Sequence, residues 1–212
     1  MSTTTETPAA PDIPPLPPAP VSFEEFLAWT PDNALVEWVD GEIIVMSPVS
    51  FDHASILMFL GRLMSDYVEA HGLGQVVFAP FLMRLASRPS GREPDLLFVA
   101  GDHLDRVQPT YLDGPADIAV EIVSPDSVSR DRGDKFAEYE AAGVREYWLI
   151  DPERQEALFY ALGPAGRYQR VSTDAGGIFR STVLPGFWLC VDWLWQRPLP
   201  KLAEVRRQLG IA

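Results

Sequence analysis

Apolar residues recur at helical spacing over one long segment of this chain. Between Ser50 and His71 they return every three to four positions, as expected for a helix with one buried face, and Gly72 follows as a typical C-terminal stop. The apolar positions of this segment are Ile56, Phe59, Leu60, Leu63, Met64, Tyr67 and Val68. The pattern therefore predicts a long helix packed on a core.

Shorter patterns predict three further helices. Ser22 and Glu25 have the spacing of a capping box, which indicates a short helix running to about Trp29. The other two helices are predicted over residues 130–142 and from about Leu202.

Strand patterns are more numerous than helical ones. The segments LVEWV and EIIVM flank Asp40-Gly41, a pair that tolerates the positive φ angles of a two-residue hairpin turn. Further strands are predicted at 75–85, 95–99, 117–123, 146–150, 156–161, 167–171, 178–184 and 188–194. Since a helix separates two of these strands, we expect an α/β fold with a mixed β-sheet flanked by helices.

Composition indicates one domain behind a tail. Residues 1–20 contain seven prolines, a density that blocks helix and strand hydrogen bonding, so we predict a disordered Pro-rich tail and one domain over 21–212. Cys190 is the single cysteine, which excludes an internal disulfide and suits a reducing compartment. The sequence lacks a signal-peptide pattern and a membrane-length apolar run, so we expect a cytoplasmic protein without membrane partners.

The net charge of −13 bears on the partner. Sequence-independent binding of nucleic acid comes largely from Lys and Arg neutralising phosphates, so this charge argues against tight binding of long nucleic acid. A bound cation can still supply positive charge inside an acidic pocket.

Two carboxylates lie in otherwise apolar strands. Asp95 starts the strand 95–99, and Glu121 lies inside 117–123 on the face shared with Ala119 and Val123. Carboxylates that approach each other repel, whereas a hard cation relieves the repulsion and accepts their oxygens as ligands. The pair therefore indicates Mg²⁺ or Mn²⁺; a salt bridge for Glu121 and backbone donors for Asp95 are the structural alternatives.

The order Pro94-Asp95 followed by Glu121 resembles the PD-(D/E)xK nuclease superfamily. The resemblance implies a restriction-endonuclease-like core with metal ligands at Asp95, Glu121 and the backbone carbonyl of Ile122. The chain departs from the motif in its lysine, since the position two after Glu121 is Val123. Lys135 is the candidate for a displaced motif lysine.

Six segments together resemble a bacterial family of restriction-endonuclease-like proteins, the Uma family, from Phe23 to about Leu194. They are VEWVDGE (36–42), Ser47-Pro48 with His53, Pro94-Asp95, EIVSP (121–125), Lys135 with Tyr139, and GVREYWLID (143–151). The resemblance implies a lysine moved to the helix, Glu37 of the N-terminal hairpin beside the acids, and a possible role for His53. Without it, Glu37 is interpreted as a solvent-facing strand residue and His53 as a capping or surface histidine.

Lys135 has an alternative interpretation as a solvated helix residue. The chain, however, has 17 basic residues and only two lysines, Lys135 and Lys201, which favours a specific need for an ammonium at position 135. On this sequence evidence we expect Lys135→Ala to lower turnover by roughly a hundredfold or more while leaving metal affinity and folding nearly intact. Arg92, Arg130 and Arg132 are candidates for a phosphate-facing rim.

The sequence therefore predicts a divalent-metal-dependent nuclease with Asp95, Glu121, Lys135 and Glu37 as catalytic residues. The alternatives are a catalytically inactive binding or regulatory module of the same fold, favoured by the net charge, and a carboxylate-pair glycosidase, which has no use for Lys135. Edge strands and the apolar segment 187–190 also leave a homodimer open.

Overall fold

The computed structural model describes residues 14–31, 35–46, 48–86, 89–125 and 127–211. Its α-helices are α1 (Phe23–Trp29), α2 (Phe51–His71), α3 (Lys135–Ala142) and α4 (Leu202–Gln208). A π-helix, Arg130–Asp134, leads directly into α3, and two 3-10 helices lie at Gly101–Arg106 and Val191–Trp195.

Thirteen strands are present in this described part. They are β1 (Val36–Val39), β2 (Glu42–Val45), β3 (Gly74–Phe78), β4 (Leu82–Leu85), β5 (Ser90–Arg92), β6 (Leu96–Ala100), β7 (Tyr111–Asp113), β8 (Ile118–Ile122), β9 (Glu146–Asp151), β10 (Glu156–Leu162), β11 (Tyr168–Val171), β12 (Ile178–Arg180) and β13 (Trp188–Cys190).

A six-stranded mixed sheet forms the centre of the fold, in the order β11-β10-β9-β8-β6-β3. Strands β8 and β9 are parallel, because α3 carries the chain back across the sheet, and the other pairs are antiparallel. The apolar side chains of α2 pack on one face of this sheet and those of α3 on the other. The predicted mixed sheet flanked by helices is confirmed.

A second sheet, β2-β1-β5-β4-β7, contains the predicted hairpin. Asp40 and Gly41 form its turn with φ angles of 49° and 85°, as the Asp-Gly pair predicts. Ser22 and Glu25 make the reciprocal bonds of a capping box on α1, and Gly72 ends α2 in the left-handed region. These local predictions are confirmed.

Three predicted strands were wrong in extent. Residues 75–85 form two strands in different sheets, since Pro80 cannot donate a ladder hydrogen bond at the crossing between them. Residues 178–184 and 188–194 contain only the short strands β12 and β13. The backbone N–H groups of Thr182 and Val183 are taken by the carboxylate of Glu146 instead of by a neighbouring strand. Strands β5 and β7, with three residues each, were missed.

Part of the predicted tail can be described. Residues 14–20 form neither helix nor strand; Trp29 Nε1 donates to the carbonyl of Pro15 at 3.1 Å, and Pro20 lies close against Gly41. Residues 1–13 lie outside the described residues. No helix in the described ranges is long and apolar enough to cross a membrane.

The segment 187–190 faces the core of its own chain. Phe187 and Leu189 are buried in the cluster shared with α2, so this segment does not supply the apolar dimer surface that the sequence suggested. A homodimer stays a prediction.

Candidate active site

Strand register brings the two predicted metal ligands together. Strands β6 and β8 pair antiparallel with Leu96 opposite Val120, and continuing that register by one residue places Asp95 opposite Glu121. Both carboxylates border a cavity of about 60 Å³, which suffices for a few water molecules at about 10–15 Å³ each. Asp95 and Glu121 thus form a carboxylate pair at one end of the central sheet.

Glu121 is 4% exposed on the face of β8 that packs against α3. Its Oε1 accepts from Lys135 Nζ at 2.9 Å and from the Tyr139 hydroxyl at 2.7 Å. Burial raises the pKa of Glu121 well above 4.5; the ammonium of Lys135 opposes this effect, and neighbouring carboxylates add to it. The buried position of Glu121 therefore disfavours its charged form.

Asp95 is held from two sides. Its Oδ2 accepts from the backbone N–H of Ile122 at 2.6 Å, and its Oδ1 lies 3.0 Å from His53 Nε2. His53 is 4% exposed, and in the described part of the chain its Nδ1 has no hydrogen-bond partner. The N-cap of α2 is Ser50, so the interpretation of His53 as a capping or surface residue is wrong.

Lys135 reaches the acids from the first turn of α3. Its Nζ lies 2.8 Å from Glu37 Oε1, 2.9 Å from Glu121 Oε1 and 3.6 Å from Asp131 Oδ1, and the residue is 1% exposed. The interpretation as a solvated helix residue is therefore wrong. Burial lowers the pKa of Lys135, but the three carboxylates outweigh it and raise the pKa above 10.5. Without a metal, Lys135 is an ammonium at neutral pH.

Glu37 is fully buried behind the lysine. It lies on β1 opposite Ile44, but its carboxylate joins Lys135 to Arg92, whose NH1 donates to Oε2 at 2.9 Å. Burial raises the pKa of Glu37, but these two cations outweigh it and lower the pKa below 4.5. Glu37 is thus an ionised counter-ion of Lys135, and the solvent-facing interpretation is wrong.

The prediction of a phosphate-facing rim is wrong for Arg92 and stays a prediction for Arg130 and Arg132. Arg92 is 1% exposed and bonds through Nε and NH2 to both carboxylate oxygens of Glu138, so it is an internal residue. Arg132 pairs with Asp151 and Glu156. Arg130 borders the cavity.

The sequence interpretation missed two acids of this site. Asp131, in the π-helix, is 1% exposed, and within the described residues its Oδ1 has no hydrogen-bond partner. Its position one helical turn before Lys135 was an available signal. Glu93 also borders the cavity, and burial raises its pKa to about 8.

These residues could hold a hard divalent cation. Asp95 and Glu121 offer carboxylate oxygens next to water-sized space, and Mg²⁺ usually takes one or two carboxylates and keeps several waters. The buried Asp131 Oδ1 is a further oxygen without a hydrogen bond. In the described ranges no cluster of three or more His, Cys, Asp or Glu side chains is arranged to hold a metal ion.

Comparison with known proteins matches this architecture. A crystal structure of a "putative nuclease belonging to DUF820" from Anabaena variabilis ATCC 29413 superimposes with a TM-score of 0.70 at 18% sequence identity. The match covers 83% of this chain and 98% of that one, and it shows a common fold. Among curated proteins, no sequence matches the chain significantly.

A family-level match covers most of the domain. The model of the Uma2 family, described as "Putative restriction endonuclease", matches residues 23–192, which include β1, α2, Asp95 just before β6, Glu121 of β8 and Lys135 of α3. The predicted resemblance to a restriction-endonuclease-like family is confirmed. The chain belongs to the Uma2 family.

Proposed function

We propose that the protein hydrolyses phosphodiester bonds of nucleic acid with the help of Mg²⁺ or Mn²⁺. The observation that carries the proposal is the juxtaposition of Asp95 and Glu121 across β6 and β8, with the ammonium of Lys135 2.9 Å from Glu121. The family is described as a restriction endonuclease family and its structural relative as a nuclease, and both descriptions support the same reaction class.

Each residue of the site has a role that follows from its charge and position. Asp95 and Glu121 would hold the cation, together with the backbone carbonyl of Ile122, and His53 orients Asp95 through its Nε2. A bound divalent ion lowers the pKa of water and stabilises charge on a phosphoryl group. Lys135, kept protonated by its carboxylates, supplies positive charge for the pentacovalent transition state. Its raised pKa favours this role over that of a base.

A catalytically inactive module of the same fold is the second candidate. Lys135 and Tyr139 both bond to Glu121 Oε1, so part of this carboxylate is already occupied by protein donors. The net charge of −13 also disfavours binding of long nucleic acid. In such a protein the acids would bind no cation.

Cleavage assays distinguish these candidates. Single- and double-stranded DNA and RNA are incubated with Mn²⁺ and the wild type, Glu121→Gln, or the control Glu204→Gln on α4. We expect cleavage by the wild type and the control, at least a hundredfold less with Glu121→Gln, and none with EDTA. Calorimetry with Mn²⁺ follows binding directly. Absence of both cleavage and Mn²⁺ binding in the wild type would favour the inactive module.

A further inference from the structure

Lys135 reaches Glu121 from a different element, since the lysine begins α3 and the glutamate lies on β8. Lys135 carries its ammonium at the end of a flexible four-carbon stem, and α3 follows a π-helix rather than a regular turn. If Nζ contacted only Glu121, it would have a single partner oxygen, and the stem could adopt several conformations that keep this one bond. The position of Nζ therefore depends on its other partners, above all Glu37 at 2.8 Å.

Glu37 is itself fixed by a second cation. Strands β1 and β5 pair with Trp38 opposite Gly91, and the same register places Glu37 opposite Arg92. One oxygen of Glu37 contacts Lys135 and the other accepts from Arg92 at 2.9 Å, so rotation of the carboxylate breaks one of the two bonds.

Arg92 is fixed in turn by the helix that carries the lysine. Its Nε and NH2 donate to the two oxygens of Glu138 at 2.8 and 2.7 Å, a bidentate arrangement that sets the guanidinium plane. Glu138 follows Lys135 by three residues on α3, so the contacts close a ring of Lys135, Glu37, Arg92 and Glu138. All four residues are at most 3% exposed.

We propose that Arg92 and Glu138 are positioning residues, which hold Glu37 and through it place the ammonium of Lys135 at the cavity. The ring carries two positive and two negative charges, so it is neutral in itself. The carboxyl groups of Asp95, Glu121 and Asp131 lie outside this ring and border the same cavity. Buried ion pairs contribute little net stability compared with apolar replacements, so stability alone does not explain such a ring.

The two lysines of the chain allow a direct test. Lys135 and Lys201 are acetylated with a pulse of acetic anhydride, and mass spectrometry gives the rate at each site. Lys201, with a side chain 84% exposed, is the internal reference. We expect Lys135 of the wild type to react at least a hundredfold more slowly than Lys201. In Arg92→Gln and Glu138→Gln we expect its rate to rise at least tenfold, with the rate of Lys201 unchanged.

Matched variants separate positioning from general stability. Arg167→Gln removes an exposed arginine that pairs at 3.3 Å with Glu140, which lies on α3 like Glu138. This control should leave Lys135 protected. Arg92→Lys keeps the charge without the bidentate geometry and should restore protection only partly. Glu138→Gln keeps the Arg92–Glu37 bond and is the variant to use if Arg92→Gln does not fold. Unchanged protection in folded Glu138→Gln, or a wild-type Lys135 as reactive as Lys201, overturns the proposal.

The catalytic part of this inference rests on the proposed function. If the wild type cleaves nucleic acid, Glu138→Gln should lower kcat by at least tenfold with KM within about twofold, whereas a purely structural role would leave both unchanged in the folded fraction. If the wild type cleaves nothing, the proposed function fails. The acetylation rates still decide whether Arg92 and Glu138 position Lys135.

Discussion

Replacing Lys135 by methionine removes one charge from the buried cluster at nearly constant side-chain length. Nζ lies within 3 Å of both Glu37 and Glu121, and the lysine is 1% exposed. Removing one partner of a buried ion pair costs about 3–5 kcal/mol, because the remaining charge stays buried without compensation. We expect Lys135→Met to lower the free energy of unfolding by about that much at pH 8. The structure thus revises the sequence-based expectation that folding is nearly independent of this residue.

The pH dependence separates this electrostatic cost from a packing defect. Burial lowers the pKa of Lys135, but the carboxylates outweigh it and raise the pKa above 10.5, so Lys135 itself stays charged at all pH values below 10.5. In the variant, burial acts on Glu37 and Glu121 with one ammonium fewer to oppose it, so the pKa of both acids rises. An acid whose pKa is raised by folding destabilises the folded state as pH rises above 4.5. The deficit of Lys135→Met should therefore shrink from pH 8 to pH 5.

Urea unfolding at pH 5, 6.5 and 8 measures both effects. Lys201→Met is the matched control, because its side chain is 84% exposed and lies 4.0 Å from Glu204, and its unfolding curve should match that of the wild type at each pH. A deficit for Lys135→Met below about 1 kcal/mol at pH 8 would refute the reasoning from the buried-pair cost. So would a deficit that is equal at pH 5 and pH 8.

Three further predictions concern the cation, a cavity acid and the N-terminal tail. Mg²⁺ or Mn²⁺ should raise the melting temperature of the wild type but not that of Asp95→Asn/Glu121→Gln. At a cation concentration of a hundred times the dissociation constant, binding adds about 2.7 kcal/mol to the free energy of unfolding. Equal shifts of the two melting temperatures in scanning fluorimetry would contradict the site. Burial raises the pKa of Glu93 to about 8, so its ionisation should destabilise the fold from about pH 4.5 to pH 8. Relative to the wild type, Glu93→Gln should become more stable as the pH rises across this window. Parallel pH curves in urea unfolding would show that folding does not raise the pKa of Glu93. Deletion of residues 1–20 should barely change the thermal midpoint, since residues 14–20 are mostly exposed and contact the domain mainly through Pro20 at Gly41 and one exposed hydrogen bond from Trp29 to Pro15. A drop of many degrees in calorimetry would show a packed tail.

Local chemistry explains which elements were predictable. The capping box at Ser22, the Asp40-Gly41 turn and the α2 pattern depend on neighbouring residues, and all three are observed. The short strands β5 and β7 carry no such pattern. Strand β12 ends early because the N–H groups that follow bond to Glu146, more than thirty residues away in sequence. Contacts of this kind leave no periodic signal.

The site follows the same division. The sequence by itself determined the family, the α/β class and the order of Asp95, Glu121 and Lys135, because motifs and strand periodicity involve residues that are close together in the sequence. Only the tertiary structure decided that Lys135 and Glu37 are buried together and that Arg92 faces inward, because ion pairs between residues about forty to a hundred positions apart arise from strand register and helix packing. The sequence shows which residues are charged, whereas only the fold determines which of them form ion pairs.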